Sequence, residues 1–284
     1  MQWEQQLIET ARGTFEIFKT GQGQPICVTH LYSEFNERGS RFASMFADYC
    51  TVYLVNLRGC GHSTNDTSIY NFSMQDSVAD LEAIRQKLGF ENWGFAGNST
   101  GGMLALTYAI HAPQSLQYIV AGGLCASSDY MRHPASIYCK ENPNNKRILE
   151  IIEMLGNPNS KLEQRQAGNK EWSLMSLYKE ESFDNMISRP SSGKTVSKRL
   201  DYFSYVELPH FDLRPQLPNT MVKSYIFGGK YDAQCPHDFA VEAANLIPHA
   251  TLTTFEQSNH YPFIEEEQEF ESFVDAIFIE ETTG

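Results

Sequence analysis

The stretch Gly94-Phe95-Ala96-Gly97-Asn98-Ser99-Thr100-Gly101-Gly102 constrains this chain more than any other. A short apolar strand ends here and a helix starts at once. Ser99 sits between them in the pattern Gly97-x-Ser99-x-Gly101. A turn this sharp folds the strand end back against the helix, so side chains on the flanking residues would clash. It also leaves the serine hydroxyl exposed at the end of a strand. Strands that feed directly into helices build a parallel sheet with crossover helices.

The rest of the chain repeats that pattern. Leu7-Ile8-Glu9-Thr10 and Thr14-Phe15-Glu16-Ile17-Phe18 flank Ala11-Arg12-Gly13 and predict an antiparallel hairpin. Strands are predicted at 25–29, 51–56, 92–96, 116–126, 222–227 and 251–255. Helices are predicted at 42–49, 73–88, 101–111, 239–247 and 270–278. Ser73 caps the second of these, and Gly89 stops it. Strand signals fade from Ser127 onward, where amphipathic pieces alternate with polar linkers. The expected fold is therefore α/β: a mostly parallel, doubly wound sheet with an N-terminal antiparallel hairpin. Its core comprises residues 1–126 and 216–284, and residues 127–215 form a helical insertion. Aromatic and Met side chains cluster in that insertion, among them Tyr130, Trp172, Met175 and Tyr205. They line an apolar pocket or pack the insertion onto the core.

Composition excludes several classes. The 284 residues are 41% hydrophobic, yet no apolar run approaches the roughly 18 residues of a membrane span. Residues 1–6 lack the basic start and apolar core of a secretory leader. A cytoplasmic protein without membrane attachment is expected. The balance of 22 basic and 35 acidic residues gives −13, which argues against nucleic acid as a partner. A small-molecule substrate is the expected partner. The six cysteines form no C-x-x-C pair and lie at no zinc-ligand spacing from a histidine. They are read as free thiols, with Cys27, Cys50 and Cys125 in strands, and neither a metal nor a cofactor is expected.

A serine hydroxyl is a poor nucleophile unless a base takes its proton and an acid orients that base. Groups just beyond strand C-termini converge on one edge of a parallel sheet. Ser99, Asp232 and His260 each follow a predicted strand in this way. Asp129, beyond the 116–126 strand, is an alternative acid. Asp232 is also placed to cap the helix near Pro236.

Four motifs then carry a resemblance. Asn56-Leu57-Arg58-Gly59-Cys60-Gly61-His62-Ser63, Gly97-Asn98-Ser99-Thr100-Gly101-Gly102, Gly228-Gly229-Lys230-Tyr231-Asp232 and Ser258-Asn259-His260-Tyr261-Pro262 occur in that order. Together they resemble the α/β-hydrolase superfamily, of the kind with a helical cap. The resemblance covers nearly the whole chain outside the insertion. It implies Ser99 as nucleophile, His260 as general base and then acid, and Asp232 as the histidine's partner. It also implies backbone donors to the oxyanion from Thr100 and Tyr32. Leu31 stands where the family usually has glycine, and a left-handed backbone there would strain a leucine. Asn56 replaces a more usual aspartate at a structural position.

The expected function is a serine hydrolase cleaving an ester or amide of a small, partly apolar substrate. The serine turn is similar to that of prolyl-iminopeptidase-like hydrolases, but their His-Gly-Gly-Pro-Gly loop is absent. That subgroup holds a substrate amine with cap carboxylates, for which Glu180, Glu181, Asp184 and Glu207 are available. The alternatives are such an aminopeptidase and a non-catalytic ligand-binding relative.

Overall fold

The computed structural model describes residues 1–157 and 159–283. The first part of the chain runs β1 (Glu4–Thr10), β2 (Gly13–Thr20), β3 (Gln24–Val28), β4 (Ser33–Glu34), α1 (Arg41–Ser44) and β5 (Cys50–Val55). It continues through α2 (Met74–Lys87), β6 (Trp93–Asn98), α3 (Thr100–His111) and β7 (Leu116–Gly122). The helical segment holds α4 (Asn145–Gly156), α5 (Leu162–Met175), α6 (Ser182–Ser188), β8 (Lys194–Thr195) and α7 (Ser197–Tyr202). The sheet then resumes with β9 (Lys223–Gly229), α8 (His237–Leu246), β10 (Ala250–Phe255), α9 (Pro262–Glu265) and α10 (Glu267–Thr283).

Eight strands form one sheet in the order β1-β2-β5-β3-β6-β7-β9-β10. The β1–β2 hairpin joins β5 antiparallel, and every pairing from β5 to β10 is parallel. Alternate residues of each strand face opposite layers, because side chains switch sides at every step. Cys27, Phe95, Ile119 and Ile226 face the layer of α2, α3 and α8. Ile26, Ala96, Val120 and Phe227 face the layer of α1 and α10. The second layer is dense in phenylalanine, with Phe227 and Phe270 ring centroids 5.1 Å apart. Both faces are covered, which explains why these strands read as continuous apolar runs.

Three sequence expectations change. The helix expected at 42–49 is only the four-residue α1, and the chain turns on through residues 45–49. The strand expected at 116–126 ends at Gly122, since Gly123 takes φ of 52° and turns the chain away. Cys125 therefore lies in a loop, although it is buried like the other five cysteines, all of them free thiols. An unexpected two-stranded ribbon pairs β4 with β8 and ties the helical segment to the loop after β3.

Two polar anchors hold the loops above the sheet. Arg58 donates to Asp80 through Nε and Nη2, at 3.0 and 2.8 Å, with both residues fully buried. Asn56 accepts from the backbone of Phe35 at 2.7 Å and donates to Glu16 Oε2 at 2.7 Å. Burial pushes the Glu16 carboxyl up, but hydrogen bonds from His62, Asn56 and Gln5 outweigh it and hold the group below its usual value. An ionised Glu16 explains the amide at position 56, because an aspartate would set two carboxylates against each other. Asn56→Asp is expected to cost roughly 2–4 kcal/mol at pH 7.5. The new carboxyl would have a folded-state pKa raised above its unfolded value, so the penalty grows as pH rises through that unfolded value. Urea unfolding at pH 4.5 and 7.5 checks this, with the larger loss expected at pH 7.5.

Candidate active site

Strand β6 ends at Asn98, and Ser99 takes φ 61° and ψ −130°. It is the sole non-glycine residue with positive φ among the described residues. Such a conformation costs on the order of 1–3 kcal/mol and needs its surroundings to enforce it. Here the Ser99 N–H donates to Gly122 O at 2.8 Å, and its carbonyl accepts from Met103 N at 3.1 Å. The turn closes so tightly that a Cβ on Gly97 would lie 2.1 Å from Gly101 O.

Asp232 follows β9 and His260 follows β10, and the two side chains meet in the interior. His260 Nδ1 lies 2.8 Å from Asp232 Oδ2 and 3.0 Å from Oδ1. Both side chains are about 1% exposed. Asp232 Oδ1 also accepts from the backbone N–H groups of Gln234 and Cys235, each at 2.8 Å. The residue thus holds its own turn and orients the histidine at once. Asp129 is engaged elsewhere, in ion pairs with Arg132 and Arg214.

The histidine loop is fastened from several sides. Glu265 accepts from Asn259 N at 2.7 Å, and Glu266 accepts from Ser258 Oγ at 2.6 Å. The backbone N–H of His260 donates to Ser176 O, at the end of α5, at 3.1 Å. Gly123 lies beneath the imidazole, where an added Cβ would come within 3.0 Å of His260 Cε1.

The loop after β3 supplies the other wall. Leu31 does not take positive φ, and its side chain is buried in the core. The loop therefore avoids the strain that a leucine would suffer in the usual glycine conformation. His30 bridges this loop to α3. Its Nε2 lies 3.2 Å from Thr100 Oγ1, and its Nδ1 lies 2.9 Å from Ser33 Oγ and 3.5 Å from Tyr32 N. One neutral tautomer suits both hydroxyls: Nδ1 accepts from Ser33 and Nε2–H donates to Thr100, while the Tyr32 N–H at 3.5 Å is too far for a firm hydrogen bond. Burial, with repulsion from His260 and Arg199, pulls His30 down to about 3 and keeps it neutral at physiological pH. Thr100 is the first residue of α3, so its N–H has no partner within the helix. Arg199 of α7 is buried and donates to Leu31 O, to Arg58 O at 2.9 Å and to Ser77 Oγ at 2.9 Å.

Ser99, His260, His30 and Tyr32 line one cavity of about 750 Å³, roofed by residues of α4, α5 and α7. Trp172 also lines it, but three of the four pocket residues expected from the sequence do not. Tyr130 packs its ring against Tyr138 and Phe239 in the core. Met175 packs against the small cluster around Ile148 and Ile151. Tyr205 is 77% exposed. None of Glu180, Glu181, Asp184 and Glu207 lies in the lining. Sequence reasoning missed His30, Arg199 and the lining residue Arg41. Only His30 carried a signal, as a polar residue just beyond the β3 strand end. Among the described residues, no three His, Cys, Asp or Glu side chains converge as a metal site requires.

A family model described as the alpha/beta hydrolase fold matches residues 36–144. A putative proline iminopeptidase of Mycoplasma pneumoniae is 43% identical over 72 residues, which is 25% of this chain and 23% of that protein. The match to that relative thus spans under a quarter of its length. A proline iminopeptidase of Heyndrickxia coagulans is 25% identical over 283 residues, covering 91% of this chain and 92% of the relative. The solved structure of an alpha/beta fold family hydrolase from Bacillus anthracis is 48% identical and has a TM-score of 0.95. It covers 97% of this chain and 99% of the other. With that agreement in sequence and backbone along almost its whole length, the chain belongs to the α/β-hydrolase family and is a hydrolase.

Proposed function

We propose that this hydrolase cleaves an ester of a small, partly apolar acid through an acyl-enzyme. Ser99 attacks the carbonyl, while His260 takes its proton and later returns it to the leaving alcohol. Asp232 holds the imidazole with Nδ1 protonated, so that Nε2 accepts. The N–H groups of Thr100 and Tyr32 stabilise the tetrahedral oxyanion, and water then releases the acid. The observation that carries this reading is the buried Asp232–His260 pair opening on the cavity that also contains the strained Ser99 turn. The helical insertion, residues 127–215 on a core of 1–126 and 216–284, serves as the lid over that cavity.

The second reading is an aminopeptidase, favoured by the names of the full-length relatives. It needs carboxylates beside the serine to hold a substrate amine. The lining contains one carboxylate, Asp201, which is exposed. The ester reading therefore fits the cavity better.

A fluorophosphonate probe is expected to label Ser99 in the wild type, which would also dispose of a purely ligand-binding role. Turnover of p-nitrophenyl hexanoate against proline p-nitroanilide then separates the two hydrolytic readings. Faster cleavage of the anilide would favour the aminopeptidase instead. No helix among the described residues is long and apolar enough to cross a membrane.

A further inference from the structure

The cavity is cationic although the chain is not. The whole protein carries −13, yet the charged residues of the lining are Arg41, Arg165, Lys194 and Asp201. Arg165 is occupied, donating to the carbonyls of Leu155, Asn157 and Ser160. Lys194 is exposed and pairs with Glu34 at 3.4 Å.

Arg41 is different. It is 5% exposed and opens α1 at the cavity wall. Its Nη2 reaches Glu267 Oε1 at 3.3 Å and Asn185 Oδ1 at 3.5 Å. Its Nε and Nη1 have no hydrogen-bond partner among the described residues. Glu267 is shared, because Arg189 contacts the same carboxylate oxygen at 2.5 Å. Two guanidiniums thus face one carboxylate, and the local balance is +1. The indole Nε1 of Trp172, another lining residue, is also buried without a partner. Buried donors left unpaired are costly, and those of a charged group most of all. These atoms are themselves covered, so a ligand anion would satisfy them once the Arg41 and Trp172 side chains turn their donor edges into the cavity they line.

The geometry points to Arg41 as a carboxylate-binding residue: the substrate is an ester whose acid part ends in a second, free carboxylate. This rests on the ester-hydrolase reading and narrows its substrate class. The local charge of +1 matches a monoanion, and a phosphate dianion would leave excess negative charge beside Glu267. Arg41 binds the free carboxylate, with Trp172 Nε1 as a second donor, while Ser99 attacks the ester carbonyl. The apolar lining supplied by Phe35, Phe42 and Met186 receives the chain between them.

Two esters of equal acyl length test it: p-nitrophenyl hexanoate and mono-p-nitrophenyl adipate. Wild type is expected to prefer the adipate ester in kcat/KM, chiefly through a lower KM. Arg41→Met is expected to reduce the adipate-to-hexanoate ratio about 30- to 100-fold, and Arg41→Lys is expected to retain much of it. A merely structural role would depress both esters together, so an unchanged ratio in Arg41→Met overturns the proposal. Calorimetry of adipate binding to Ser99→Ala, with and without Arg41→Met, reads the site without turnover. Hexanoate cleavage with no adipate binding would overturn the anion site alone. Arg41-dependent adipate binding with neither ester cleaved would uphold the anion site and overturn the hydrolytic reading.

Discussion

Ser99→Ala is expected to lower kcat for p-nitrophenyl hexanoate by a factor on the order of 10⁶, with melting temperature unchanged or raised. In the proposed mechanism the rate loss follows from removing the atom that forms the covalent bond. The Asp232–His260 pair and the proposed oxyanion donors remain, so a small residual rate over water is expected. The effect on stability differs, because alanine removes the hydroxyl and leaves the backbone conformation of φ 61° in place. Glycine at the same position would relieve that strain of about 1–3 kcal/mol. Ser99→Gly should therefore melt above Ser99→Ala while being equally inactive. Scanning calorimetry beside steady-state kinetics checks both statements, and an active alanine variant would sink the covalent mechanism.

Asp232→Asn is expected to lose about 10⁴ in kcat. The structure gives a specific reason. Oδ1 of Asp232 accepts two backbone N–H bonds, from Gln234 and Cys235, both at 2.8 Å. An asparagine must keep its carbonyl oxygen there, since an NH2 would face two donors. Its NH2 then occupies the place of Oδ2, 2.8 Å from His260 Nδ1. Nδ1 becomes an acceptor, Nε2 takes the proton, and the histidine can no longer accept one from Ser99. Nitrogen-15 chemical shifts of the His260 ring are expected to show the exchanged tautomer. Asp129→Asn serves as the control and should stay active, because Asp129 pairs with Arg132 and Arg214. The reverse result would reassign the acid.

These positions were readable because each stands just past a strand whose own residues mark it. The parallel core was legible for the same local reason: apolar runs, helical spacing and turn residues recur along the chain. Reading failed where meaning depends on distant segments meeting. Arg41 gains its character from Glu267, Asn185 and Arg189, all at least 144 positions away. Arg199 matters because α7 lies against Leu31, 168 positions earlier. The aromatics of the insertion failed differently. Tyr130 and Tyr205 lie in single irregular turns, too brief for periodicity to tell which face is inward, and Tyr205 turns out to solvent, while Met175 is the last residue of α5. The substitution of leucine at position 31 looked like a local strain, yet the loop takes a different path there.

The helical segment over the cavity does more than cover it. The end of α5 shows this. Ser176 accepts from the backbone of His260, its hydroxyl accepts from Gln234 Nε2 at 2.8 Å, and Met175 O accepts from Asn259 Nδ2 at 3.3 Å. The roof is thus stitched to the loops bearing His260 and Asp232, the proposed base and acid. Excising it is expected to release the backbone of His260 and the side chains of Gln234 and Asn259, and with them the alignment of the proposed proton relay.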